Sequence, residues 1–206
     1  MELEQRWLAF WQAAAAPRDP LPAWRDLVRR YSEPHRACHA LAHVADCLEE
    51  LEPARTLAND VIAVELALWF HDAVYDTHRS DNEKRSASLA TEVAQSMGLP
   101  GAARECVTGL ILATRHDAVP SAGDEALVVD IDLAILGQPR ERFDEYERQI
   151  RIEYAWVPRM IFDVKRKQIL RALLERPTIY TTPHFRDRYE HAARENLRRS
   201  LGVGTH

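Results

Sequence analysis

Glycine is scarce in this chain, with seven residues in 206, and none of them builds a GxxxxGK[ST] phosphate loop. Cysteine is scarcer still. Cys38, Cys47 and Cys106 are odd in number and lack CxxC spacing, which excludes a disulfide framework and a zinc knuckle and leaves each as a small buried residue. An excess of positive charge is also missing. The net charge is −5, so the chain has no general attraction for nucleic acid or anionic membranes. No apolar stretch reaches the ~20 residues needed to span a bilayer, and Met1–Trp7 lacks the basic start and apolar run of a secretory signal. A cytoplasmic location is expected.

What remains is the composition of a globular protein, 46% hydrophobic and 29% charged, at a length that fits one domain over residues 1–206. Apolar residues recur with helical periodicity and no segment alternates as a strand would, so the expected fold is all-α, a compact multi-helix bundle. Helices are predicted over 2–16, 22–31, 35–51, 61–70, 81–97, 101–114, 123–136, 139–155, 159–175 and 184–200, with Pro17, Pro34 and Gly98-Leu99-Pro100 as breaks. Residues 61–70 are apolar almost all round, as in a helix enclosed by others. The Arg- and Glu-rich stretches 139–154 and 184–200 read as solvated faces.

Chemistry enters with the histidines. His39 and His43 are four apart, so a helix over 35–51 presents both imidazoles on one face. The residues between them, Ala40-Leu41-Ala42, hold no glutamate, which argues against a zincin. His71-Asp72 closes the most apolar helix, where such groups must be paired, ligated or hydrogen-bonded. Adjacent residues can reach one ion only where the helix ends, and this helix ends there. Asp130 and Asp132 lie in a second apolar helix, and one of them needs a cation.

A His, a His-Asp pair and a distant Asp, here His43, His71-Asp72 and Asp132, resemble the HD superfamily of metal-dependent phosphohydrolases over residues 35–136. Trp69-Phe70-His71-Asp72-Ala73-Val74-Tyr75-Asp76 and Asp81-Asn82-Glu83-Lys84-Arg85-Ser86-Ala87 are similar to a group of small, mostly uncharacterised predicted HD phosphohydrolases. Residues 71–77 also look like the HDxxED stretch of the guanosine alarmone hydrolases, with Tyr75 where that motif has glutamate and Asp76 keeping its second acid. The superfamily's last ligand is commonly followed by Leu, which favours Asp132-Leu133 over Asp130.

The resemblance implies an enzyme that hydrolyses a phosphoester of a nucleotide or other small phosphorylated metabolite. Two imidazoles and two carboxylates suit octahedral Mn²⁺, Fe²⁺, Co²⁺, Ni²⁺ or Mg²⁺, with closed tetrahedral zinc less natural. Asp76 and Glu83 are candidates to orient water or protonate the leaving oxygen, although Ser80-Asp81-Asn82-Glu83 is also close to a capping box. Arg36, His39, Lys84, Arg85, Arg115 and His116 are the groups that could meet phosphate, with His116 also a candidate for a second metal. A nucleic-acid or membrane partner is not expected, and a homodimer is compatible with the pattern. Two alternatives stay open: a non-catalytic nucleotide-sensing or interaction module, and oxidative cleavage at a di-iron centre.

Overall fold

The computed structural model describes residues 2–203. Ten α-helices and two 3₁₀ turns are found among them and no strand, so the fold is all-α. The helices fall within one to three residues of the sequence expectation at most boundaries. The chain forms two compact units, one up to Val129 and one from Asp130 onward. Helix α7 runs through that division.

The first unit contains α1 (Leu3–Ala13), α2 (Leu21–Tyr31), α3 (Leu41–Ala54), α4 (Val61–Phe70), α5 (Asn82–Ser96), α6 (Gly101–Ala113) and the first six residues of α7 (Asp124–Asp132). Helix α4 is its axis. Asp60 caps it by accepting from the Ala63 N–H, and every residue from Ala63 to Phe70 is buried. Helices α3, α5 and α6 pack against it. Its single charged residue, Glu65, is 3% exposed and is paired by Arg55 at 2.7 Å and Arg6 at 3.4 Å, which is what allows a carboxylate there. Helix α1 covers the end of α4 that carries the dyad. Trp7 meets Trp69 edge-on at 5.3 Å and lies 6.0 Å from Phe70, so truncating Trp7 to alanine removes a fully buried side chain at a cost of about 3–5 kcal/mol.

Helix α3 departs from expectation. It starts at Leu41, six residues later than predicted, so His39 precedes it and does not share a helical face with His43. The backbone at the N-cap Ala40 is extended, with φ −105° and ψ 179°, and the buried Arg36 guanidinium of the preceding loop donates to the His39 carbonyl at 2.9 Å.

The second unit holds the end of α7, a 3₁₀ turn over Leu133–Gly137, then α8 (Arg140–Glu153), α9 (Arg159–Leu174) and α10 (Pro183–Leu201). The predicted helix over 123–136 therefore tightens into a 3₁₀ turn after Asp132. Close packing on α10 accounts for it: Asn196 Nδ2 donates to the Leu136 and Gln138 carbonyls, both at 2.9 Å, and Tyr180 Oη donates to Leu133 O at 3.0 Å. Gly137 is the closest approach, because a Cβ there would stand 2.5 Å from Tyr189 Cβ. Among the described residues no helix is long and apolar enough to cross a membrane.

Candidate metal centre

His71 is the C-cap of α4, and Asp72 follows it where the helix has stopped. The Ala73 N–H bonds back to Phe70 O at 2.9 Å and turns the chain. That turn lets neighbours in sequence aim at one point: His71 Nε2 and Asp72 Oδ2 are 3.2 Å apart. His43, in the first turn of α3, brings its Nε2 to 3.0 Å from His71 Nε2 and 3.8 Å from Asp72 Oδ2. Three of the four expected ligand residues thus converge within the first unit.

The ring of His71 is fixed from behind. Its Nδ1 lies 3.0 Å from the Leu68 carbonyl, which can only accept, so Nδ1 carries a hydrogen and Nε2 is the atom turned toward His43 and Asp72. Backbone carbonyls orient metal-binding histidines in this way. His71 is 1% exposed, and buried imidazole nitrogens gathered beside a carboxylate are donor types that could hold a metal ion.

Cys47 was expected to be a packing residue only. It stands one turn after His43 on the same face of α3, and His43, Cys47 and His71 each offer a ligand atom within 4.8 Å of the others. The spacing of four from His43 was the signal available in the sequence.

Arg36 holds the dyad in place. Its side chain is fully buried, with Nη1 donating to Asp72 O at 2.7 Å and Nη2 to Ala73 O at 3.2 Å, while Nε pairs with Glu33 at 3.1 Å. The rings of Tyr31 and Tyr75 flank it at 5.1 and 5.5 Å. Its donors are directed at protein carbonyls, which makes it a positioning residue. Tyr31 donates to Trp69 O at 3.1 Å, and burial pushes its phenol well above the ordinary 10.0.

The loop after the dyad is tied to α5 by two residues whose role the sequence did not suggest. Ser86 Oγ accepts from Val74 N at 3.0 Å and donates to Val74 O, while Asn82 accepts from Asp76 N at 3.1 Å and donates to Asp76 O at 2.9 Å. Asn82 and Ser86 are one turn apart on α5, so one helical face holds the loop. Tyr75, at the place of the alarmone hydrolases' glutamate, stacks on His39 at 4.3 Å, and His39 lies 6.0 Å from the His43 ring. His39 therefore remains beside His43 although it is not on α3.

Asp76 accepts from the His78 N–H at 2.9 Å, and that bond together with the His78 ring holds its carboxyl below the usual 3.8. Glu83 sits in the first turn of α5, whose N-cap Asp81 makes no side-chain capping bond, so the capping box does not form. Asp81 is turned to Arg79, with contacts of 2.7 and 2.8 Å. Lys84 and Arg85 are exposed on α5. Arg115 and His116 follow α6, Arg115 exposed and 3.2 Å from Asp117, His116 with a left-handed φ of 57°.

In the second unit the two candidate aspartates have separate fates. Asp130 is fully buried and accepts from Thr181 N at 2.9 Å, Thr182 N at 2.7 Å and Thr182 Oγ1 at 2.7 Å. Burial raises its carboxyl above 3.8, while those three donors pull in the opposite direction. Asp130 is thus a structural acceptor that ties the start of α10 to α7. Asp132, the last residue of α7, is half-buried.

Comparison of the chain with protein families, with curated proteins and with solved structures finds no match.

Proposed function

We propose that this chain is a metal-dependent phosphohydrolase of HD type, acting on a nucleotide or small phosphorylated metabolite. One observation carries the reading: His43 Nε2, His71 Nε2 and Asp72 Oδ2 converge within 3.8 Å, with the His71 tautomer set by Leu68 O. Asp132 is the fourth ligand of this reading. It follows the order of residues in the sequence, and the engagement of Asp130 by Thr181 and Thr182 leaves Asp132 as the carboxylate for that role.

The set suits a divalent cation, with Mn²⁺, Fe²⁺, Co²⁺, Ni²⁺ and Mg²⁺ as the class. When bound, such an ion supplies Lewis acidity at a phosphoryl oxygen and lowers the pKa of water. The chain's own residues position the reaction. Asp76 is a carboxylate at neutral pH and suits orienting or deprotonating water, while Glu83 is the candidate to protonate the leaving oxygen. His39, Lys84, Arg85, Arg115 and His116 are the groups proposed to meet phosphate, and Arg36 contributes by holding Asp72 and Ala73.

Elemental analysis of the purified protein, followed by a phosphatase and nucleotidase screen with each divalent ion, tests this. Wild type should bind metal and turn over at least one phosphoester, and Asp72→Ala should lose both. If Asp72→Ala binds metal and hydrolyses as wild type does, the proposal fails.

Tyr75, at the place of the alarmone hydrolases' glutamate, supports a second reading, a nucleotide-sensing or interaction module without turnover. Stoichiometric metal with no hydrolysis across the panel would select it.

A further inference from the structure

The net charge of −5 is unevenly spread: from Asp130 onward the chain carries fifteen lysines and arginines against twelve aspartates and glutamates. Helix α9 is the most one-sided element of that unit, with Arg159, Lys165, Arg166, Lys167 and Arg171 against Asp163 alone. Its packed face runs through Arg166, whose Nε donates to Glu147 at 3.0 Å, and the buried Leu170 and Leu173. The opposite face is apolar where a surface helix is ordinarily polar. Met160 is 83% exposed, and Ile161 and Val164 beside it are each more than half exposed. Trp156, in the turn leading into the helix, and Ile152, in the last turn of α8, are exposed to the same degree. Lys167 and Arg171 continue the line of Met160 and Val164, and Lys165 follows Ile161 by four. These three bases are exposed and form no ion pair among the described residues.

Large exposed apolar side chains grouped at one place mark an interaction surface, and the charge around them selects its occupant. A second copy of the chain is a poor fit. Each partner of a stable dimer buries ~800 Å², which here would draw in Lys165, Lys167 and Arg171. A two-fold axis sets a face against its own copy, so these cations would meet like charges, and the single acid, Asp163, already lies 3.7 Å from Arg159. A lipid surface satisfies both halves of the face. Apolar side chains enter the boundary beneath the headgroups, a Trp ring suits that boundary, and Lys and Arg stems carry their charges out to anionic headgroups. We propose that the outer face of α9, with the turn before it, docks on an anionic membrane surface. The whole-chain charge hid this face, because the excess of acid lies before Asp130. The docking is independent of the metal centre.

Full-length protein is mixed with vesicles of phosphatidylcholine alone, or of phosphatidylcholine and phosphatidylserine in equal amounts, and binding is read by flotation and by tryptophan emission. Trp7, Trp11, Trp24 and Trp69 are buried, so a change in emission on adding vesicles reports Trp156. Wild type should float with the anionic vesicles only, with a blue shift that Trp156→Phe removes, and high salt should release it. The triple variant Lys165→Gln/Lys167→Gln/Arg171→Gln should bind roughly 100-fold more weakly, and Met160→Ser/Val164→Ser roughly 10-fold more weakly or worse. Arg18→Gln/Arg25→Gln removes two exposed bases of the first unit and should bind as wild type does. Apart from Trp156, every substituted side chain is well exposed, and circular dichroism checks that each variant is folded. If wild type ignores the anionic vesicles, or the triple variant binds them as wild type does, the proposal is overturned. If sedimentation without lipid shows a dimer that Met160→Ser/Val164→Ser dissociates, the face belongs to a second copy and membrane docking is overturned.

Discussion

The Leu68 carbonyl stands 3.0 Å from His71 Nδ1, so the last turn of the most apolar helix in the chain determines which nitrogen of its terminal histidine bears the proton. With Nδ1 on that carbonyl, Nε2 of the same ring faces His43 Nε2 at 3.0 Å. The backbone of α4 thus orients one side chain of a cluster that could hold a metal ion. His71→Ala and His43→Ala are each expected to weaken divalent binding by more than the ~10–100-fold typical for losing a supporting partner. Calorimetric titration on the folded variants measures this, and an unchanged affinity in either one would remove that histidine from the ligand set.

Asp130 and Asp132 are two residues apart and should answer mutation in opposite ways. Asp130→Asn turns an NH₂ group toward the donors of Thr181 and Thr182, leaving a buried donor facing donors at a cost on the order of 1–3 kcal/mol. Its thermal midpoint should drop while metal stoichiometry is kept. Asp132→Asn should keep the midpoint and lose the metal. The reverse pattern, read by thermal melts and elemental analysis on the same preparations, would make Asp130 the ligand.

Arg36 links three carbonyls, of His39, Asp72 and Ala73, through one buried guanidinium. Arg36→Met keeps much of the aliphatic bulk and removes the donors, so those carbonyls lose their partners and Glu33 loses its counter-charge. A loss of about 1–3 kcal/mol in unfolding free energy is expected, the range for leaving buried hydrogen-bonding groups unsatisfied. Chemical denaturation measures it. A stability within ~0.5 kcal/mol of wild type would show that the loop before α3 holds its shape without Arg36.

The division between what the sequence made legible and what it did not follows the range of the interactions. Helix α4 was legible because nine of its ten residues are apolar, and the dyad because a polar pair at the end of such a helix needs partners. The start of α3 at Leu41 was not legible, because the loop before it is held by Arg36, whose partners Asp72 and Ala73 lie 36 and 37 residues away. The choice between the two aspartates depended on Thr181 and Thr182, 51 and 52 residues beyond Asp130, which no periodicity reports. Asn82 and Ser86 sat inside a segment already noted for Lys84 and Arg85, but a polar side chain that bonds a distant backbone looks in sequence like any solvated helix residue. Cys47 was a local miss. The i,i+4 relation to His43 was visible, and packing was the commoner explanation for a buried cysteine.

Asp76 gives the pH prediction. Its carboxyl is depressed by the His78 N–H and then by the His78 ring, so its midpoint, followed by carboxyl NMR, should fall below 3.8. A depressed carboxyl stabilises the fold above its unfolded pKa, and that contribution is lost as pH falls through the folded value. Because the side chain is solvent-exposed, the effect on stability is small and the titration itself is the readable quantity. His78→Ala removes the ring and keeps the backbone donor, so the midpoint should return only part of the way toward 3.8. If Asp76 orients or deprotonates water, Asp76→Asn should lower turnover by roughly 10²–10⁴-fold with metal content unchanged. Full activity in Asp76→Asn would confine Asp76 to shaping the loop and leave Glu83 as the remaining acid–base candidate.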